Sequence, residues 1–247
     1  EKTKDLTLEN AGTNRKMDVI TSYAINNLSI LSRANFRIEL ATNPFIYNLP
    51  VFNSAAEENK PATNKYDILL NSFDYNVPQK RERVFIIGVI KNISHKYEFP
   101  PEFLTKVILK DVLYNVPDSI GAKYNEEKIK LFKMIPQGGC WVNLPENLQK
   151  QYLGNSYNSG GGKRGILYRL SMEKPSLTLL CTPSQKQTER CHPLEERPLT
   201  IREYARIQTF EDSYQFIGSM NSQYKQIGNA VPVELAKYIG ISLLQLL

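Results

Sequence analysis

Cysteine and histidine are scarce in this sequence, at three and two residues. Cys140, Cys181 and Cys191 form no Cys-x-x-Cys pair, and His95 and His192 are far apart, so no zinc site is expected. An odd number of thiols argues against a disulfide framework and makes a reducing, cytoplasmic setting the default. Long apolar runs are also missing. Val84-Phe85-Ile86-Ile87 and the stretch from Ile239 to Leu247 fall well short of the ~20 residues that span a bilayer, so no membrane partner is expected. No charged-then-apolar leader precedes the first residue, which is Glu1 rather than Met, and the start reads as a cut or processed end. Internal repeats and low-complexity tracts are absent.

What remains is enough for a buried core, with 247 residues of which 41% are hydrophobic and 23% charged. A net charge of +6 suits a polyanionic partner without proving one. Residues 5 to 8 read as a short strand. Met17, Ile20, Ala24, Leu28 and Leu31 have helical spacing, and Phe36 to Ala41 alternates as a strand. This strand, helix, strand order is the unit of a parallel sheet. The aperiodic stretch 43 to 65 predicts a surface insertion. Tyr66 to Leu70 and Arg83 to Ile90 are expected to pair as a hairpin at the sheet edge. Residues 106 to 196 are irregular and predict a separate small domain, loop-rich and β-rich. Helical patterning returns at Thr200 to Thr209 and, after a loop, from Pro232 to Leu246. The expected division is 1–105, 106–196 and 197–247, the last completing the first.

The most informative stretch runs from Pro78 to Gly88, Pro-Gln-Lys-Arg-Glu-Arg-Val-Phe-Ile-Ile-Gly. Side chains on a strand alternate, so Arg81 and Arg83 point the same way and present two guanidinium forks to one polar or anionic target. The same pair equally suits an exposed edge that blunts strand pairing. Gly160-Gly161-Gly162-Lys163-Arg164-Gly165 is a flexible cationic loop suited to a phosphate backbone, or a solvated hairpin tip. Ser184-Gln185-Lys186-Gln187-Thr188-Glu189-Arg190 offers donors and acceptors of the kind that read base edges.

Taken together, Gln79-Lys80-Arg81-Glu82-Arg83, with its lead-in Asn71 to Pro78, closely resembles the Gln-x-Arg-x-Arg motif of cytosine-C5 DNA methyltransferases. Arg197 to Gln208 resembles that family's ninth motif, and Gln226-Ile227-Gly228-Asn229-Ala230-Val231-Pro232 its tenth, in the family's order and spacing. Leu8-Glu9-Asn10-Ala11 resembles its Glu-Asn-Val motif, with Ala11 in place of the usual Val.

The resemblance implies the C-terminal part of a Rossmann-like, S-adenosylmethionine-dependent α/β fold with a target-recognition domain between the eighth and ninth motifs. It implies duplex DNA as partner and a cytosine flipped from the stack. Glu9 and Arg83 would hold the N3 and O2 edges of the ring, and Arg81 would support the site or a phosphate. Asn229, Ala230 and Val231 would border the cofactor. Lys163, Arg164, Thr178, Gln185, Lys186, Gln187 and Arg190 would contact DNA, with Thr178-Leu179 matching a Thr-Leu that recurs in recognition domains.

The family's nucleophile sits in a Pro-Cys motif and its main cofactor site in a glycine-rich loop, and neither occurs here. All three cysteines therefore read as non-catalytic, with Cys181 or Cys191 near DNA, and the chain alone is expected to transfer no methyl group. A split enzyme whose separate N-terminal chain supplies both, a truncated fragment, and a non-catalytic DNA-binding module all fit. The resemblance implies a restriction-modification role, without telling whether a companion restriction enzyme exists. The related tRNA-modifying branch is marked by a Cys-Phe-Thr segment, which Cys181-Thr182-Pro183 does not match.

Overall fold

The computed structural model describes residues 37–41, 63–90, 96–158, 165–186 and 189–246. The expected strand at 5 to 8, the helix at 17 to 33, residues 43 to 62 of the insertion, Glu9, Lys163, Arg164 and Gln187 lie outside the described residues, and residues 63 to 65, expected to end the insertion, belong to a strand instead.

Among the described residues, three strands make the main sheet: β1 (Arg37–Ala41), β2 (Thr63–Asn71) and β4 (Glu82–Ile90), in the order β1-β4-β2. The predicted hairpin is there, with Tyr66 opposite Ile87 and Leu70 opposite Arg83. β4 is antiparallel to both neighbours, so β1 and β2 run parallel to each other on its two sides. Period-two alternation sends Phe85, Ile87 and Val89 into the core, where they meet Leu235, Ile239 and Leu243 of the last helix. That helix, α6 (Val233–Leu244), matches the expected one.

The lead-in Asn71 to Pro78 is shaped by side-chain caps. Asn71 Oδ1 accepts from the amides of Phe73 and Arg81, both at 3.2 Å, and the Ser72 amide and hydroxyl both donate to the Arg81 carbonyl. Asn76 closes the turn at φ 58°, a left-handed conformation asparagine tolerates. The turn delivers β3 (Gln79–Lys80), which pairs in parallel with β5 (Ser176–Leu177). Thus the eighth motif and the expected recognition region are joined by backbone.

Residues 106 to 196 are loop-rich as expected, but their regular elements are mainly helical: α1 (Leu109–Val112), α2 (Glu126–Lys133) and α3 (Glu146–Leu153). Among the described residues there, β structure is confined to β5 and isolated bridges such as Arg169–Cys191. This corrects the β-rich expectation. The region has its own core of Phe132, Ile135, Leu144, Leu153, Leu167 and Cys191. Leu109, Leu170 and Leu179 instead pack with Tyr204, Ile207, Tyr224 and Ile227, a second core that ties the region to the return segment.

α4 (Ile201–Ile207) forms where predicted, opened by a capping box in which the Thr200 amide donates to Glu203 Oε2 at 2.7 Å and the Glu203 amide to Thr200 Oγ1 at 3.4 Å. The stretch read as a loop after it contains a further helix, α5 (Met220–Asn229), capped by Ser219. Its apolar stripe is only Met220, Tyr224 and Ile227, too thin for periodicity to reveal. Pro232 gives α6 no side-chain cap, and the return segment supplies one. The Val233 amide donates to the Gln208 carbonyl at 3.0 Å and the Glu234 amide to Thr209 Oγ1 at 2.9 Å.

Candidate active site and nucleic-acid interface

The eighth motif, the recognition region and the tenth motif meet at Arg81. Its side chain is 2% exposed, Nη1 donates to the Leu179 carbonyl at 3.1 Å, and Nη2 to the Gly228 carbonyl at 2.9 Å. Burial, with a smaller contribution from the Arg83 charge, lowers its pKa to about 9, which leaves it a cation at neutral pH. Nη1 and Nη2 thus both bind backbone, 98 and 147 residues away, while Nε is buried without a hydrogen-bond partner. Arg81 is thereby an internal strut, and of the two roles expected for it, support of the site or of a phosphate, its bonds to backbone go with the first.

Arg83 differs. It is half-buried, Nη1 donates only to the neighbouring Glu82 carbonyl at 2.6 Å, and its buried Nε, like that of Arg81, has no hydrogen-bond partner. Desolvation lowers its pKa. A partly desolvated cation with a spare donor is placed to take a polar ligand edge.

A parallel relay runs beside Arg81. Gln79 Oε1 accepts from the Leu179 amide at 2.8 Å, Gln79 Nε2 donates to Gln208 Oε1 at 3.0 Å, and Gln208 Nε2 donates to the Ile227 carbonyl at 2.8 Å. Both glutamines are fully buried, so each amide's orientation is fixed by its partners. Sequence reasoning gave neither a role. The available signal was two glutamines inside otherwise apolar or cationic motifs.

At the tenth motif, α5 approaches the 180–181 backbone so closely that a Cβ on Gly228 would lie 2.7 Å from the Leu180 carbonyl. The approach puts Cys181 Sγ, as donor, 3.1 Å from Asn229 Oδ1. Asn229 is half-buried, whereas Ala230 and Val231 are 4% and 6% exposed and belong to the two cores. Of the three residues expected at the cofactor, only Asn229 presents a side chain; the other two shape the backbone behind it.

The ninth motif braces this junction. Arg197 forks onto Glu203, Nη1 to Oε2 and Nη2 to Oε1, each at 2.8 Å. Burial raises the Glu203 pKa, but the bonds from Arg197 and the Thr200 amide, with His192 nearby, outweigh it and hold the carboxyl below its ordinary value. His192 Nδ1 accepts from the Leu194 and Glu195 amides at 3.2 Å, which requires the neutral tautomer with Nε2–H toward Glu203. Burial lowers its pKa accordingly. Arg206, which sequence reasoning left aside, reaches the Val112, Tyr114 and Asn115 carbonyls. Arg202 instead clamps the Glu211 and Tyr214 carbonyls of its own following loop.

Of the expected DNA contacts that are described, Gln185 and Lys186 are exposed, and Lys186 Nζ also donates to the Tyr152 carbonyl at 2.9 Å over that ring. Thr178 commits its hydroxyl proton to the Lys80 carbonyl at 2.8 Å, so it meets a ligand as an acceptor unless that bond opens. Arg190, also expected at the DNA, is instead buried at 7% exposure, donates to the Glu189 carbonyl at 2.7 Å and lies over the Tyr168 ring. Cys191 is fully buried with its thiol pushed up to about 12, whereas Cys181 is half-buried. Among the described residues no cluster of His, Cys, Asp and Glu is placed to hold a metal, and no helix is long and apolar enough to cross a membrane.

Comparison with known proteins agrees with this geometry. The family model for C-5 cytosine-specific DNA methylase matches residues 57–245. The chain is 54% identical over 183 residues to the type II methyltransferase M.Sau96I of Staphylococcus aureus, covering 72% of this chain and 43% of that protein. It is 50% identical over 188 residues to M.Eco47II of Escherichia coli, covering 72% of this chain and 45% of the relative. The chain thus spans less than half the length of these relatives. In fold it resembles the crystal structure of the S. pombe Dnmt2 methyltransferase, with a TM-score of 0.55 at 14% identity, covering 92% of this chain and 73% of that one. The fold is that of the C-terminal part of a Rossmann-like methyltransferase, and the chain belongs to the C-5 cytosine-specific DNA methylase family.

Proposed function

We propose that this chain is the C-terminal half of a type II DNA (cytosine-5)-methyltransferase. It recognises a duplex sequence and holds a flipped cytosine while its C5 is methylated. Its three expected parts, 1–105, 106–196 and 197–247, then act as catalytic half-domain, recognition domain and closing segment. The observation that carries the reading is the division of labour at the Gln-x-Arg-x-Arg motif. Arg81 is a buried strut between two remote carbonyls, whereas the half-buried Arg83 donates only to its neighbour's carbonyl and is the one left to meet the ring.

Arg83 holds the O2 edge of the cytosine, and Glu9 holds N3. Charge develops on the ring when the nucleophile adds to C6, and fixed donors in a poorly hydrated site stabilise it without reorganising. S-adenosylmethionine supplies the electrophilic methyl group when bound. Within this chain the half-buried Asn229 amide fits a polar edge of that cofactor, while Ala230 and Val231 keep the backbone behind it rigid. No Pro-Cys dipeptide occurs in the 247 residues, so the thiolate and the glycine-rich cofactor loop come from another segment or chain. The exposed Gln185 and Lys186, with Lys163, Arg164 and Gln187, read or grip the DNA.

In the presence of S-adenosylmethionine, the chain mixed with a segment bearing those two motifs should form a denaturation-resistant adduct with duplex DNA containing 5-fluorocytosine, and the chain alone should not. Specific duplex binding with no adduct under any pairing would favour a non-catalytic recognition module instead.

A further inference from the structure

We infer that Cys181 is a positioning residue for the cofactor-facing amide of Asn229, acting through the Sγ–H to Oδ1 hydrogen bond that the missing side chain of Gly228 makes room for. The inference rests on the proposed function and deepens it. A thiol can act as a weak donor, and here it faces the carbonyl end of the amide. With Oδ1 turned toward Sγ at 3.1 Å, the Asn229 –NH2 group points away from Cys181 and offers its two protons outward from the half-buried end of α5. Without that donor the amide is free to rotate, and a ligand must then fix its orientation at its own expense.

The neighbourhood holds the thiol in place. Leu179, two residues earlier, gives its carbonyl to Arg81 and its amide proton to Gln79, and Gly228, next to Asn229, gives its carbonyl to the same Arg81. The two ends of the Cys181–Asn229 bond are therefore clamped to one guanidinium. Cysteine 181 sits in the recognition region, so the bond carries a contact from the target-reading part of the chain to the expected cofactor border.

The test is S-adenosylhomocysteine binding by calorimetry, with the chain assembled with the segment that carries the glycine-rich loop. Cys181→Ala should weaken binding about three- to tenfold, the span of one ordinary hydrogen bond. Cys181→Ser, which keeps a donor, should bind within about twofold of the wild type on the same scale. Thermal midpoints of the two variants should agree, which separates positioning from packing. Alanine binding like wild type, or serine failing to rescue, overturns the inference. No binding by the wild-type assembly overturns the proposed function itself. A second readout uses the chain alone: Asn229→Ala should speed iodoacetamide labelling of Cys181, followed by peptide mass spectrometry, and an unchanged rate contradicts the bond.

Discussion

The side-chain amides of Gln79 and Gln208 meet at 3.0 Å in a position from which water is excluded. One belongs to the eighth motif and the other to the ninth, and their outer ends hold Leu179 and Ile227. Removing either glutamine strands a buried amide and a buried carbonyl, each costing ~1–3 kcal/mol. Gln79→Leu and Gln208→Leu should each destabilise by about 2 kcal/mol, and the double variant by less than their sum, since both remove the same central bond. Urea unfolding of the four proteins measures the coupling; strict additivity would contradict the relay.

The two motif arginines should separate on mutation. Arg81→Met leaves the Leu179 and Gly228 carbonyls without their donor and should cost ~2–4 kcal/mol of stability. Arg83→Ala removes only a local bond and should change stability by less than ~1 kcal/mol while lowering methyl transfer in the assembled enzyme at least about a hundredfold. Thermal melts and single-turnover rates on the same preparations check both.

How much of this was legible in the sequence differs from residue to residue. Alternation predicted Arg81 and Arg83 on one side of a strand, whereas Arg81 lies in the break between β3 and β4; the helical spacing before the chain's last residues did give α6. Neither could say which arginine is buried, because its partners lie in segments 98 and 147 residues downstream. α5 was missed because Asn221, Ser222, Gln223, Lys225 and Gln226 make most of its surface polar. α2 carried its own signal, an Asn125 cap, acidic Glu126 and Glu127, and closing Lys130 and Lys133, masked by the surrounding loops.

Gly228→Ala should be costly although the residue is helical, where alanine ordinarily helps. The new Cβ would meet the Leu180 carbonyl group and the Cys181 amide nitrogen at 2.7–2.8 Å, backbone with no room to shift freely. A loss of ~1–3 kcal/mol is expected, together with faster labelling of Cys181. An unchanged melting temperature would show that α5 and the 180–181 segment are not held in contact.

Acid should weaken the chain through His192 before its carboxylates respond. The folded pKa of His192 lies below the unfolded 6.5, so between the two the unfolded chain binds the extra proton and stability rises with pH. Stability should therefore begin to fall as pH drops below 6.5. Glu203, held below 4.5, adds its loss only at lower pH, as its folded-state pKa is crossed. His192→Gln should flatten the first decline and leave the second. Urea midpoints from pH 8 to pH 4 provide the measurement, and a decline of equal slope in both proteins above pH 5 would contradict the assignment.

Gln185 and Lys163 should part in DNA binding. Gln185→Ala, at an exposed position, should lose ~1–3 kcal/mol for the preferred duplex and little for single-substituted ones. Lys163→Ala should weaken all sequences alike and flatten the salt dependence. Affinities at several salt concentrations distinguish them.

The central claim is that this chain supplies the target-reading and ring-holding half of a cytosine-5 methyltransferase, and tritium transfer from labelled S-adenosylmethionine to duplex DNA tests it most directly. Label should enter DNA as 5-methylcytosine when the chain is combined with a segment carrying the glycine-rich loop and Pro-Cys motif, and not with either piece alone. Transfer by the chain alone, label in any other base position, or no transfer from the combination would contradict it.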